Sequence, residues 1–102
     1  MHRHWAAEVK VNADQPSVGV ELVATSITST GDGDESTSAT VLAENPHLKF
    51  FKNRRGYVRT TFTARDLKTD FRILPFVRTP DAPVSTAASF VTEDRVRELH
   101  PA

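Results

Sequence analysis

The chain has 102 residues, enough for one small domain and too few for two, and a fold of that length buries only about two thirds of its unfolded surface. Thirteen Lys and Arg residues balance thirteen Asp and Glu residues, so no global field draws the protein to nucleic acid or to an anionic membrane. Cysteine is absent, which excludes a disulfide framework and thiolate metal sites, and no stretch approaches the roughly 20 apolar residues of a membrane span.

The sequence opens on Met1-His2-Arg3-His4-Trp5. In a strand, histidines two apart share a face and can reach one cation, although His-x-His is also an ordinary surface pattern. Ala7-Glu8-Val9-Lys10-Val11 alternates with period two and predicts a strand with Ala7, Val9 and Val11 inward, on which Trp5 reads as a packed core aromatic. Residues 12–17 read as a loop. Val18 to Thr25 is β-branched and mostly apolar, the pattern of a strand buried on both faces or beside a site.

Thr28 to Ser38 holds hardly any apolar side chain and predicts an exposed, mobile loop. Its Gly31-Asp32-Gly33-Asp34-Glu35 run alternates acid with glycine as some calcium loops do, but it lacks the ligand register of an EF-hand, and a solvated loop accounts for it better. Thr40 to Asn45 can form a short helix stopped by Pro46. Tyr57–Thr63 and Thr69–Leu74 predict a hairpin around a turn at 64–68, with Val58 and Phe62 on one face of the first strand and Phe71 and Ile73 on one face of the second. Tyr57, Arg59, Thr61, Asp70 and Arg72 take the other face, where the Asp70 carboxylate can pair with the basic residues beside it. Gly56 marks the entry to this hairpin and Pro75 its end. Ala87 to Val91 predicts a last strand, Glu93 to Leu99 a closing helical turn, and 94–102 a frayed tail. The whole reads as mostly β with a small α content, and as an incomplete domain with unpaired strand edges.

The Thr25-Ser26-Ile27-Thr28-Ser29 hydroxyls can donate to carboxylates behind a metal or to a bound anion, or can simply end a strand. Ser26 lacks the elbow, base and orienting acid of a hydrolytic nucleophile. Arg54 and Arg55, near Tyr57 and Arg59, can hold phosphate or pair with neighbouring carboxylates, and Asp70 on the partner strand favours pairing.

Several segments, taken in order, resemble the C-terminal end of the alkaline phosphatase D (PhoD-like) family. They are His2 with Trp5, Ser17 to Ser29, Asn45-Pro46-His47-Leu48-Lys49-Phe50-Phe51, Arg55-Gly56-Tyr57-Val58-Arg59, and Ala82 to Val91. The family carries a Gly-Asp-Val-His-x-x-Trp segment; His2 and Trp5 fall on its His and Trp, with Met1 where Val would stand. The resemblance implies the C-terminal part of an α/β metallophosphoesterase sandwich, with residues 1–102 as a single segment of it. It assigns His2 as a metal ligand, effective only with upstream ligands, in a centre described for the family as iron with calcium. His4 falls at a position the motif leaves variable.

The resemblance further implies a parent enzyme that hydrolyses phosphate esters and is exported, and a missing N-terminal half, through a misplaced start or a truncated gene. No leader precedes Trp5 in the sequence as it stands. The expectation is a fragment without activity of its own. A free-standing β-rich binding module is the alternative, and a small histidine metal-binding protein a third reading.

Overall fold

The computed structural model describes residues 3–29 and 31–102, so the expected ligand His2 lies outside the described residues. Among the described residues seven strands and one helix follow one another: β1 (His4–Lys10), β2 (Ser17–Val23), α1 (Ser38–Glu44), β3 (Leu48–Lys52), β4 (Arg55–Phe62), β5 (Asp66–Leu74), β6 (Ser85–Glu93) and β7 (His100–Pro101). They make two antiparallel sheets, ordered β2-β1-β3 and β4-β5-β6-β7. Both the β-rich character and the single short helix agree with the expectation from sequence.

The core lies between the sheets. Ala6 from β1 meets Phe71 from β5 and Phe90 from β6, with Leu99 closing one end and Val20, Leu22, Phe50, Val58 and Ala88 packed around them. Phe71 is wholly buried and touches three rings: Phe50 at 4.8 Å between centroids, His4 at 5.4 Å and Phe90 at 6.2 Å, the last two edge-on. Burying such a ring stabilises by roughly 1.5–3 kcal/mol, a large share for a chain of this length.

The predicted hairpin forms in the expected phase. Val58 faces Phe71, Arg59 faces Asp70 and Tyr57 faces Arg72 across the β4–β5 ladder. Its turn is tighter than expected, because β5 begins at Asp66, held by the Thr63 amide donating to the Asp66 carbonyl at 2.8 Å. Phe62 does not join the core; it lies at the strand's end, 77% exposed.

Other expectations are corrected. Of the expected inward series Ala7 alone is buried, at 2% exposure; His4 and Ala6, on the sandwich face of β1, are buried as well, while Val9 and, just past the strand, Val11 are exposed. Trp5 points to the opposite face, half-buried, its Nε1–H donating to Glu21 at 2.6 Å. β2 is an edge strand with Val18 48% exposed, so it is not buried on both faces. β3 was not legible as a strand; it pairs with β1 through Trp5–Phe51 and Ala6–Phe50.

The tail is neither helical nor frayed. Its Leu99 side chain is buried, its Leu99 amide donates to Glu8 at 3.2 Å, and β7 pairs with β6 through Phe90–Pro101 and Val91–His100. The loop at 31–36 is likewise anchored. Asp32 accepts from the Val77 and Arg78 amides at 2.8 and 3.0 Å, Glu35 accepts from the Asn53 amide at 2.8 Å, and Gly33 bridges Arg54. Its carboxylates serve as acceptors for backbone amides, which a composition-based reading as a solvated loop does not anticipate.

Candidate functional site

The sequence expectation of a metal ligand falls on His2, two residues before β1, which begins at one end of the sandwich. There, four chain segments close a circuit around His4. The imidazole is fully buried, and burial holds its pKa below the usual range against the opposing hydrogen bond to Arg72, which keeps it neutral near pH 7. Its Nδ1 accepts from the Thr25 amide at 3.3 Å, which leaves the proton on Nε2, and Nε2–H donates to the Arg72 carbonyl at 3.1 Å.

The same carbonyl is crowded by Gly56. A Cβ at residue 56 would lie 1.9 Å from the Arg72 oxygen, so only glycine lets β4 approach. The Gly56 amide in turn donates to the Ser26 carbonyl at 3.1 Å, and Ser26 follows Thr25. His4, Thr25–Ser26, Gly56 and Arg72 therefore tie the start of β1 to the loop after β2 and to β4 and β5 of the second sheet. Next to Gly56, the buried Arg55 donates from Nε to the Ser29 carbonyl at 2.6 Å.

Two side chains in the circuit have no partner. Thr25 Oγ1 and Ser26 Oγ are buried and unbonded among the described residues. A buried hydroxyl without a partner costs free energy, and Thr69 Oγ1, Thr92 Oγ1 and Arg72 Nε are buried without a partner in the same way.

The residues that the sequence offered for a site separate in space. Thr25 and Ser26 come together with His4, which the motif alone left aside. Its two ring nitrogens are committed to the backbone, so it is not free to ligate a cation. Arg55 binds the Ser29 loop and Arg59 pairs with Asp70 at 3.1 Å, as pairing on that face led one to expect. Arg54 donates to the Asp32 and Gly33 carbonyls at 3.3 and 3.4 Å. Gly56 and the Arg72 carbonyl were the parts that sequence did not reveal as a site. Backbone acceptors leave no trace in the residue pattern, and a lone glycine at a hairpin entry reads as turn chemistry.

Among the described residues no group of three or more His, Asp or Glu side chains could hold a metal ion. By themselves the described residues therefore do not fit a metal centre.

A model of the PhoD-like phosphatase family matches residues 1–71. Over 96 residues the chain is 46% identical to alkaline phosphatase D of Bacillus subtilis (strain 168), a stretch covering 89% of this chain and 16% of that protein. The fold also resembles a solved structure described as that of PhoD, with a TM-score of 0.87 and 40% identity, covering 99% of this chain and 20% of the other. The chain thus spans no more than a fifth of the length of these relatives.

Proposed function

Because this chain belongs to the PhoD-like phosphatase family and corresponds to a small C-terminal part of it, we propose that it forms one wall of a metal-dependent phosphate-ester hydrolase and is inactive alone. The observation that supports this reading is the circuit around His4, which ties the strand that follows His2 to the second sheet while leaving Thr25 Oγ1 and Ser26 Oγ unpaired among the described residues. Catalytic constellations need such support, since a reacting group misplaced by about 1 Å can cost on the order of a hundredfold in rate.

In this proposal residues 1–102 act as a single segment. His2 contributes one ligand to a centre of iron with calcium, completed by groups from the rest of such a polypeptide. A centre with several cations needs carboxylates and imidazoles from several strand ends, and one histidine does not supply them. The substrates are phosphate monoesters or diesters, and a complete parent acts outside the cytoplasm.

The test is direct. Purified chain incubated with iron and calcium salts is expected to hydrolyse neither p-nitrophenyl phosphate nor its bis ester above the buffer rate. Turnover that a chelator abolishes and that His2→Ala leaves intact would overturn both the inactivity and the role of His2.

A further inference from the structure

A strand at the edge of a sheet offers unpaired main-chain groups to any other chain, unless its length, charge or irregularity discourages pairing. Among the described residues β2, β3, β4 and β7 are edge strands, and three of them are guarded. β2 meets β1 through a ladder interrupted by a register shift and carries Glu21, β3 carries Lys49 and Lys52, and β7 has only two residues. β4 has none of these devices. It is eight residues long, its ladder with β5 runs from Arg55 to Phe62 without a shift, and it contains neither lysine nor proline. Its two arginines are engaged within the chain, Arg55 with the Ser29 carbonyl and Arg59 with Asp70.

The direction of its free groups follows from one hydrogen bond. The Gly56 amide points away from β5, to the Ser26 carbonyl, so in an antiparallel ladder the main-chain groups of Val58, Thr60 and Phe62 point the same way. Beyond Gly56 no main-chain partner meets them among the described residues. Thr60, Thr61 and Phe62 are exposed, and the Phe62 ring, on the same side of the strand as the core-packed Val58, is 77% exposed.

This edge complements itself in one register. A twofold axis through Thr60 sets Thr60 against Thr60 of a second copy and Val58 against Phe62 in both directions. Each of these pairs exchanges both of its N–H···O=C bonds, so every outward group of the three residues is used. Phe62 then lies beside Val58 of the second copy on the core side, and Arg59 faces Thr61. Moving the axis to Arg59 opposes two like charges and runs Phe62 onto Gly56, whose amide the Ser26 carbonyl already holds. Moving it to Thr61 carries Val58 past the end of the strand to Ala64.

We propose that this chain pairs with a second copy of itself along β4, making one continuous sheet across a twofold axis through Thr60. The inference stands apart from the phosphatase reading and does not depend on it. A contact confined to residues 58–62 falls at the small end of specific interfaces, below about 1,200 Å², so monomer and dimer exchange with concentration.

Sedimentation equilibrium of the purified chain over a hundredfold range of concentration reads the association. An isotope-filtered nuclear Overhauser experiment on mixed labelled and unlabelled chain reads the register, with contacts expected between the Val58 methyls of one copy and the Phe62 ring of the other. Thr60→Pro removes the central outward N–H at an edge position that accepts proline, so association should fall at least tenfold while the circular dichroism of the monomer is kept. Phe62→Lys puts a charge in place of an exposed ring and should weaken association as much. Val11→Lys, at a valine 79% exposed just past β1, should leave it within twofold.

A monomer at every concentration leaves this edge to a different polypeptide and overturns the proposal. So does a dimer whose intermolecular contacts fall on β2 or β3, or one equally sensitive at Phe62 and Val11. If Thr60→Pro disturbs the monomer, Phe62→Lys and the Val58–Phe62 contact decide the matter between them.

Discussion

His4 and Arg72, one at the start of the first sheet and the other in the middle of the second, are joined by a 3.1 Å hydrogen bond from imidazole Nε2–H to the main-chain carbonyl. The other ring nitrogen holds the Thr25 amide, so a single side chain carries polar contacts to two segments inside an otherwise aromatic core. Replacing it by phenylalanine keeps the ring and its edge contact with Phe71 but leaves the Thr25 N–H and the Arg72 oxygen without that partner. Each buried orphan costs about 1–3 kcal/mol, so His4→Phe is expected to lose about 2–4 kcal/mol. Urea unfolding followed by far-ultraviolet circular dichroism measures it, and a loss under about 0.5 kcal/mol would show that the bridge contributes nothing to stability.

Gly56 answers to the same carbonyl. A methyl group there would sit 1.9 Å from the Arg72 oxygen, a distance that neither a rotamer nor a small shift relieves, since the obstacle is backbone. Gly56→Ala should therefore push β4 from β5, stretch the Gly56–Ser26 hydrogen bond and cost about 3 kcal/mol. Amide exchange at Gly56 and at Thr25 should quicken together, because one circuit holds both. Faster exchange at Gly56 alone would separate the two and dissolve the circuit.

How much of this was readable beforehand differs between elements. The β4–β5 hairpin was legible because its apolar residues recur with period two, and Val58 does face Phe71. The phase of β1 was not. Val9 and Val11 look like an inward series with Ala7, but of the three Ala7 alone is buried, and the residues that meet the second sheet are His4 and Ala6, one polar and one small, neither of which advertises a core. β3 hid because Leu48-Lys49-Phe50-Phe51-Lys52 breaks alternation and follows a proline. The site itself was half visible. The order of segments pointed to the start of β1, yet the contacts that build it run through the Arg72 and Ser26 carbonyls and the Thr25 and Gly56 amides, which any residue type can provide.

Acid stability should depend on Asp70. The Ser89 hydroxyl at 2.5 Å holds this buried carboxyl below the ordinary carboxylate range against the opposing effect of burial, with the Arg59 guanidinium at 3.1 Å and the Lys68 ammonium at 3.9 Å adding to it. A carboxylate whose folded pKa is depressed contributes stability that is present above its unfolded value, near 3.9, and is lost as pH falls through the folded value. The unfolding temperature is therefore expected to drop steeply below about pH 4. Asp70→Asn, which keeps the shape but not the charge, should lower stability at pH 7 and flatten that acid limb. An unchanged limb in the variant would assign the acid sensitivity to other groups.

Asp32 offers a test of the anchored loop. One carboxylate oxygen takes both the Val77 and the Arg78 amides, and the first of these hydrogen bonds is the main reason its pKa lies below the ordinary carboxylate range. The acceptor comes from a glycine-flanked stretch whose composition suggests free solvent exposure, but the two amides belong to a segment 45 residues further on, so the contact closes the β5–β6 connection onto the loop before α1. Asp32→Ala removes the only acceptor that either amide has in this contact, whereas Asp32→Asn keeps an oxygen in place without the charge. Hydrogen exchange at residues 77 and 78 should accelerate strongly in the alanine variant and only partly in the asparagine one, with exchange in the Phe71 core unchanged. If both variants leave these two amides protected, the loop is held by Gly33–Arg54 and Glu35–Asn53 alone, and Asp32 is merely a solvated acid.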